Sequence, residues 1–441
     1  MNRARFNFWM VVGNGAIVTF GSAFFAVETV LAWLVLQLTG SSACVGLLLS
    51  VNSIGWLWPQ VFVGSYVEHR ERKMPVYRVT AVIRASCLVI MALMLALWDG
   101  YNPWLLYGLL IALFAVYSSG GGICVVPFMD IVGKAIPRHQ TPVLFAYRQL
   151  FGGILGCVAG GMVVVALSDQ GGTYHLSEYA ALIAVGAVFN IMAYTMFCVV
   201  KEPIEPVSRE RVSVREFLSR GPVLFRADQD YRRFYFFRCC WALTTMSQVL
   251  YLPYAKEVFN APSRMTGWFT AAITLVGGLS AAVWGRVSKN YSEVVLMRWI
   301  AVVMLLSPLT ALGMTLLERL SGGTAFMAAH YVWVYVLMYG TASAATNGYS
   351  IAGSVYMLAL APPDRRPTYI AFMNTIGVPL MLAPVAAGSI VHYLTYPVMF
   401  GISVLAGLGA LACACALRSR LSDPQHPRAA PALKDTTTAA Q

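Results

Sequence analysis

The chain is 441 residues long, 58% hydrophobic and only 11% charged, with a mean hydropathy of +0.66. Soluble domains carry about 25% charged residues, so too little charge is present to wet a soluble exterior, and a soluble enzyme, a disulfide scaffold and a disordered chain are excluded. The net charge of +12 then points to basic loops gathered on one side of a membrane rather than to nucleic acid.

A helix needs roughly 20 mostly apolar residues to cross a hydrocarbon core about 30 Å thick. Twelve such runs occur, near 8–37, 43–66, 76–98, 104–129, 143–167, 178–200, 234–257, 265–285, 294–317, 325–347, 368–392 and 397–417. The first follows Arg3 and Arg5 and lacks an Ala-x-Ala cleavage site, so it reads as a retained span. Asn14, Gly21 and Glu28 are seven apart on it and fall on one helical stripe. Ionisable groups at membrane depth persist mostly where they work or are paired, and burial favours the protonated carboxyl. Glu28 is therefore the proton-coupling candidate; the competing reading is an interfacial carboxylate in outside water.

The second span ends at Gly64-Ser-Tyr-Val-Glu68-His69-Arg70-Glu71-Arg72-Lys73. Arg84, Asp130 and Arg148 are expected near the loop ends of the third, fourth and fifth spans, on the side of Arg70. With Glu68 and Arg70 they form a candidate charge lock that changes partners as the protein moves; snorkelling of the arginines to headgroups is the alternative. The fifth span also carries Gly152, Gly156, Gly160 and Gly161, and small residues every fourth position let helices approach closely.

Residues 201–233 are rich in Arg, contain Pro203, Pro206 and Pro222, and read as a linker, with Val212–Leu218 a short amphipathic stretch suited to the membrane surface. The seventh span sets Trp241, Thr244, Gln248 and Tyr251 at steps of three and four, and the tenth sets Tyr331, Tyr335 and Met338 or Tyr339 likewise. The tenth is the least distinct span, because 325–360 stays apolar for longer than one simple helix. From Arg418 onward the chain is Pro/Ala/Thr-rich and expected to be disordered.

Counted with both ends inside, the inner loops hold Arg3, Arg5, Arg70, Arg72, Lys73, Arg78, Lys134, Arg138, Lys201 through Arg233, Arg286, Lys289, Arg365, Arg366 and Arg418 onward. The outer loops hold Lys256, Arg264 and Arg319. This is the positive-inside pattern. The nine cysteines lie mostly in apolar runs without metal-ligand spacing and read as small buried hydrophobes.

The halves can be laid over each other. Gly46 and Gly64 match Gly267 and Gly285. Pro137-Arg-His-Gln-Thr-Pro142, with Ala146, Tyr147 and Gly152, matches Pro362-Pro-Asp-Arg-Arg-Pro367, with Ala371, Phe372 and Gly377. Such repeats are typical of secondary transporters. The expected fold is thus an all-α polytopic membrane protein, twelve transmembrane helices in two pseudo-symmetric six-helix bundles: residues 1–200, the linker 201–233, residues 234–417 and the tail 418–441.

Six plus six helices, a basic central loop and the motif after the second span resemble the major facilitator superfamily. In that motif Glu68 replaces an Asp and His69 takes the first basic position; the second-half copy, Gly285-Arg-Val-Ser-Lys289-Asn290, is further degraded. The resemblance implies a gating role for the loop and a cavity lined by the first, fourth, seventh and tenth spans. On that footing Asn14, Tyr117, Trp241, Thr244, Gln248, Tyr251, Tyr331 and Tyr335 are the substrate-cavity candidates. The fifth-span run Gly152-Gly-Ile-Leu-Gly156-Cys157-Val-Ala-Gly160-Gly161 is similar to the glycine motif of the family's drug–proton antiporters, with Cys157 where they have proline. Their fourth-span arginine motif is missing, Tyr117 standing at the nearest place.

The expected function is alternating-access transport of a small organic solute, coupled to protons and running outward, by a monomer in the plasma membrane (the inner membrane of a bacterium). No Walker-type loop is present to use ATP, and no cofactor is expected. The alternatives are uptake of a sugar, carboxylate, amino acid or siderophore-like nutrient and, from 20 Met, nine Cys and six His, transition-metal transport. A membrane enzyme would need grouped catalytic residues, which His69, His139, His175 and His426 do not supply.

Overall fold

A computed structural model describes residues 3–68, 70–100, 102–137, 140–167, 175–204, 225–226, 228–319, 323–360, 373, 376–391 and 393–418. Among these, the ordered elements are all helical. The first span runs Arg3–Ala23, breaks, and resumes through a π-helical turn at Val27–Leu31 into Ala32–Thr39. The next five are Ser42–Glu68, Met74–Ala96, Pro103–Ala135, Thr141–Ala166 and Leu176–Cys198. Gln229–Thr245 and Gln248–Phe259 together make the seventh. Met265–Asn290, Glu293–Glu318, Gly323–Leu360, Val378–Leu382 with Ala383–Ile390, and Tyr396–Ala416 complete twelve.

Nine helices among the described residues are long and apolar enough to cross a membrane; the other spans are the broken seventh, the tenth and the partly described eleventh. The tenth corrects its expected end, running on to Leu360 as one helix of 38 residues, because no proline interrupts it before Pro362. The amphipathic stretch Val212–Leu218, most of the linker and the tail beyond Arg418 lie outside the described residues.

The exterior is that of a protein dissolved in lipid. Val79, Val82, Ile83, Ile90 and Leu93 line the outside of the third span, and Leu306, Leu309 and Leu316 that of the ninth. Hydroxyl side chains inside the spans bond back to carbonyls of their own helix, as Thr80 does to Val76, Thr244 to Cys240 and Thr274 to Thr270, which satisfies them where water is absent.

Packing within the two halves repeats. The second span lies against the fourth as the eighth lies against the tenth; the third lies against the sixth as the ninth lies against the twelfth; and the first lies against the sixth as the seventh lies against the twelfth. Local backbone repeats as well. The first span is interrupted near Phe25 and ends on Gly40 at φ 64°; the seventh is interrupted at Met246–Ser247 and ends on Asn260 at φ 47°.

Across the halves the fifth span meets the eighth and the second meets the eleventh. Arg70, Arg72, Lys73, Lys134 and Lys201 mark one end of the molecule, here the basic end; the other is the far end. Toward the far end one continuous apolar core contains Leu34, Leu48, Val163, Leu250, Phe269 and Tyr335 and so joins both halves. At the basic end there are two separate cores, one around Phe8, Tyr77 and Phe197 and one around Phe234, Met297 and Tyr356. The halves are therefore closed together at the far end and parted at the basic end.

Candidate functional site

Small residues make the far-end closure. A Cβ on Gly46 would collide with the Pro384 carbonyl oxygen, and one on Gly388 with that of Ser42. On the other seam, a Cβ on Gly153, Gly156 or Gly160 would come within 2.8 Å of Thr274 or Ala271. Gly267, the repeat partner of Gly46, has the Gly160 carbonyl oxygen 2.5 Å from its own Cβ position. The two repeat glycines thus do equivalent work, each admitting the opposite half. Gly152 faces Thr19 of the first span, while Gly161 meets nothing within 4 Å and has no packing role here. Gly285 also meets nothing within 4 Å, as befits the parted end. Thr29 and Thr270, both buried, share a 2.6 Å hydrogen bond across the halves.

Glu28 lies in the π turn beside Thr29. Its neighbours Thr29, Val30 and Leu31 are buried, whereas its own side chain is exposed. The turn packs against the second, seventh and eighth spans, and Glu28 is within electrostatic reach of Tyr339 on the tenth. The exposure is therefore toward space between the halves. Irregular backbone at membrane depth is tolerated where it is covered by protein or lines a cavity, and π turns concentrate at functional sites. Asn14 and Gly21 do not share this face. Asn14 Nδ2 donates to the Ala193 carbonyl at 2.8 Å, and Gly21 abuts Gly186, both on the sixth span. The break at Phe24–Ala26 rotates Glu28 off their stripe, which corrects the expectation that all three line one surface.

The charge-lock residues are held in three separate arrangements. Asp130 is bonded by Lys73 at 2.9 Å and Lys134 at 2.7 Å, near the basic end. Arg84 sits instead in the middle of its span, Cζ 4.5 Å from the Tyr117 ring centroid and 5.1 Å from that of Tyr194, its stem over Gly120. Arg148 donates from Nη1 to the Val11 carbonyl at 2.8 Å and to Asn14 Oδ1 at 3.0 Å. None of Arg84, Asp130 and Arg148 pairs with another among the described residues, because their spans place them at different depths. Arg70 is exposed, and the Glu68 side chain lies outside the described residues.

The aromatic faces of the seventh and tenth spans are corrected likewise. Trp241 stacks on Tyr349 at 4.8 Å within its own half, and Thr244 is buried with its hydroxyl on Cys240. Tyr251 is fully buried and bonds Ser307 at 2.7 Å; Tyr335 donates to the Tyr251 carbonyl at 2.9 Å and stacks on Phe269. Tyr331 stacks on Phe259 at 5.2 Å. Tyr117 is buried between Phe25, Phe114 and Arg84. Gln248 alone of these seventh- and tenth-span candidates is partly exposed. The same three- and four-residue spacing serves a packed core and a pocket, and here packing wins.

Sequence reasoning passed over several residues. Gln149 reaches Asn347 across the halves at 3.5 Å; a Gln and an Asn inside apolar runs were the available signal. Arg238, three residues before Trp241 on the seventh span, donates to the Met373 carbonyl and faces Gly377. At the basic end the Glu202 carboxylate accepts from the backbone amides of Lys73 and Met74, capping the third span. Among the described residues no group of three or more His, Cys, Asp or Glu comes together.

A profile of the Major Facilitator Superfamily matches residues 12–319 and, a second time, residues 234–440. In structure the chain is similar to a mutant of the nucleoside transporter NupG (14% identity, 93% of this chain and 99% of that one, TM-score 0.69). It is also similar to a D-xylose-proton symporter (13%, 94% and 98%, 0.66) and to an auto-inhibited POT family peptide transporter (14%, 96% and 98%, 0.64). No curated protein matches the sequence.

Proposed function

The chain belongs to the major facilitator superfamily and is a multi-pass secondary transporter, and we propose that it couples protons to the outward movement of a small organic solute across the plasma membrane. In this reading the basic end faces the cytoplasm, as the loop charges favour, so the state described is open inward. The observation that carries it is Glu28: a carboxylate set by a π turn inside the first span, exposed between the halves and beside the Thr29–Thr270 contact. When the far end opens, Glu28 meets outside water and takes a proton; when it closes, the proton leaves inward. The outward direction is supported by the likeness of the fifth-span glycines to those of antiporters, although the structure also gives Gly153, Gly156 and Gly160 a packing role that either direction would use.

Proteoliposomes with an imposed pH gradient, assayed with a fluorescent amphipathic dye, test the reading. A charge crossing 100 mV carries about 2.3 kcal/mol, a concentration ratio near fiftyfold. Glu28→Gln is expected to lose gradient-driven dye accumulation by at least about tenfold while retaining dye–dye exchange. Undiminished gradient-driven movement in the variant would overturn the assignment.

A further inference from the structure

The guanidinium of Arg148 is anchored at one corner and unfilled along an edge. Nη1 makes both hydrogen bonds, to Val11 and Asn14. Asn14 is itself oriented, since its Nδ2 is committed to the Ala193 carbonyl and its Oδ1 must face the arginine. The side chain lies flat against Gly15, where an added Cβ would come within 2.8 Å of Nε, Cζ and Cγ, and Cζ stands 4.8 Å from the Phe128 ring centroid. Nε and Nη2 make no protein hydrogen bond among the described residues, yet neither is closed off from solvent. They therefore face open space rather than packed protein.

No described carboxylate answers this charge. Asp130 is engaged by two lysines and Glu202 by two backbone amides. Glu28 is level with Gly160, through Thr29, Thr270 and Ala271, which puts it about 18 Å beyond Arg148 at 1.5 Å per residue. Arg84, in the middle of the third span, likewise has tyrosines and no described acid around it, and Tyr77 lies within electrostatic reach of both arginines. Two cations at membrane depth without a counter-ion among the described residues make a strongly positive interior. The Nε–Nη2 edge is the fork whose geometry matches a carboxylate with two parallel hydrogen bonds.

We propose that Arg148 anchors the anionic group of the transported solute, which makes the substrate an organic carboxylate. This rests on the transporter reading above and adds the substrate class. Proton and anion then occupy separate stations, Glu28 toward the far end and Arg148 toward the basic end.

The test uses the full chain purified in neutral detergent, with melting temperature followed against benzoate, hexanoate, benzamide, benzylamine and phosphatidylglycerol. The two carboxylates are expected to stabilise the native chain and the amide and amine to leave it unchanged. Arg148→Gln should weaken carboxylate binding at least about tenfold, and Arg148→Lys should restore part of it, keeping the charge but losing the fork. No stabilisation by either carboxylate, equal stabilisation in Arg148→Gln, or stabilisation by phosphatidylglycerol alone (a headgroup anchor) would each overturn the proposal. Should Arg148→Gln fail to fold, phenylglyoxal modification of the native chain read by peptide mass decides: benzoate must protect Arg148, and absence of protection overturns it. Benzoate binding is read without a pH gradient, whereas proton coupling is read only with one, so a failure of proton coupling is distinguishable from a failure of this site.

Discussion

Glu28 and Arg148 are both ionisable groups at depths where charge is costly, and the backbone treats them differently. Glu28 owes its place to a broken helix, because a continuous one would have carried it around with Asn14 and Gly21 toward the sixth span. Arg148 sits on an unbroken helix and relies on what the first span offers: Gly15 for room, the Val11 carbonyl and the Asn14 amide for hydrogen bonds. Asn14 is thus a positioning residue in the wall rather than a cavity contact. Asn14→Leu removes its bond to Ala193 and its bond to Arg148. Membrane hydrogen bonds average about 0.6 kcal/mol in double-mutant cycles, and a buried group left unsatisfied costs about 1–3 kcal/mol. A loss of roughly 1–3 kcal/mol is expected, read as a lowered melting temperature together with faster phenylglyoxal modification of Arg148. A variant as stable as the native chain would show that Asn14 holds nothing. The exceptional charges were legible from sequence because any arginine or glutamate in an apolar run stands out. The roles of Trp241, Tyr251 and Tyr335 were not, since a stripe at helical spacing is the same whether it faces a pocket or a neighbouring helix.

The helices differ in how they meet. The fifth and eighth spans interlock backbone to backbone, and so do the second and eleventh, through glycines that recur at equivalent places in the two halves. The consequence is an asymmetry between substitutions of one kind. Gly160→Leu forces a side chain into the Gly267 and Ala271 backbone, and overpacking of this sort costs about 1–3 kcal/mol; it should lower the melting temperature and open the far end. Gly285→Leu meets empty space while the basic ends are parted and should leave the melting temperature unchanged, yet slow the cycle if the basic ends must close around it. Equal destabilisation by both would contradict the seam described here. The paired glycines were visible in the sequence as a repeat. That Gly46 and Gly267 admit the opposite half, while Gly161 packs against nothing, depends on helix rotation, which glycine spacing leaves undetermined.

For the whole molecule, the distribution of apolar cores decides the state: one core spans both halves at the far end, and two lie apart at the basic end. A disulfide across the seam should hold this state. In a chain freed of its nine native cysteines, Thr29→Cys with Thr270→Cys replaces two side chains whose hydroxyls already stand 2.6 Å apart across the halves. The pair is expected to cross-link on oxidation and to arrest transport until reduced. Unchanged transport with the cross-link formed would mean that the far end never opens.

The amino-acid sequence by itself determined the solvent, the number of crossings, the duplication and which spans carry unusual charges. Each follows from composition or from order along the chain, because a span must be long and apolar and loops must carry the charge. The tertiary structure alone decided which way each helix turns and what lies opposite it. It placed Glu28 between the halves, set Asp130 between two lysines, buried Tyr251, Tyr331 and Tyr335, and left one edge of Arg148 open. Within lipid every helix face is apolar enough to be an exterior, so the sequence pattern that separates inside from outside in a water-soluble fold is weak here, and only packing against a neighbour settles it.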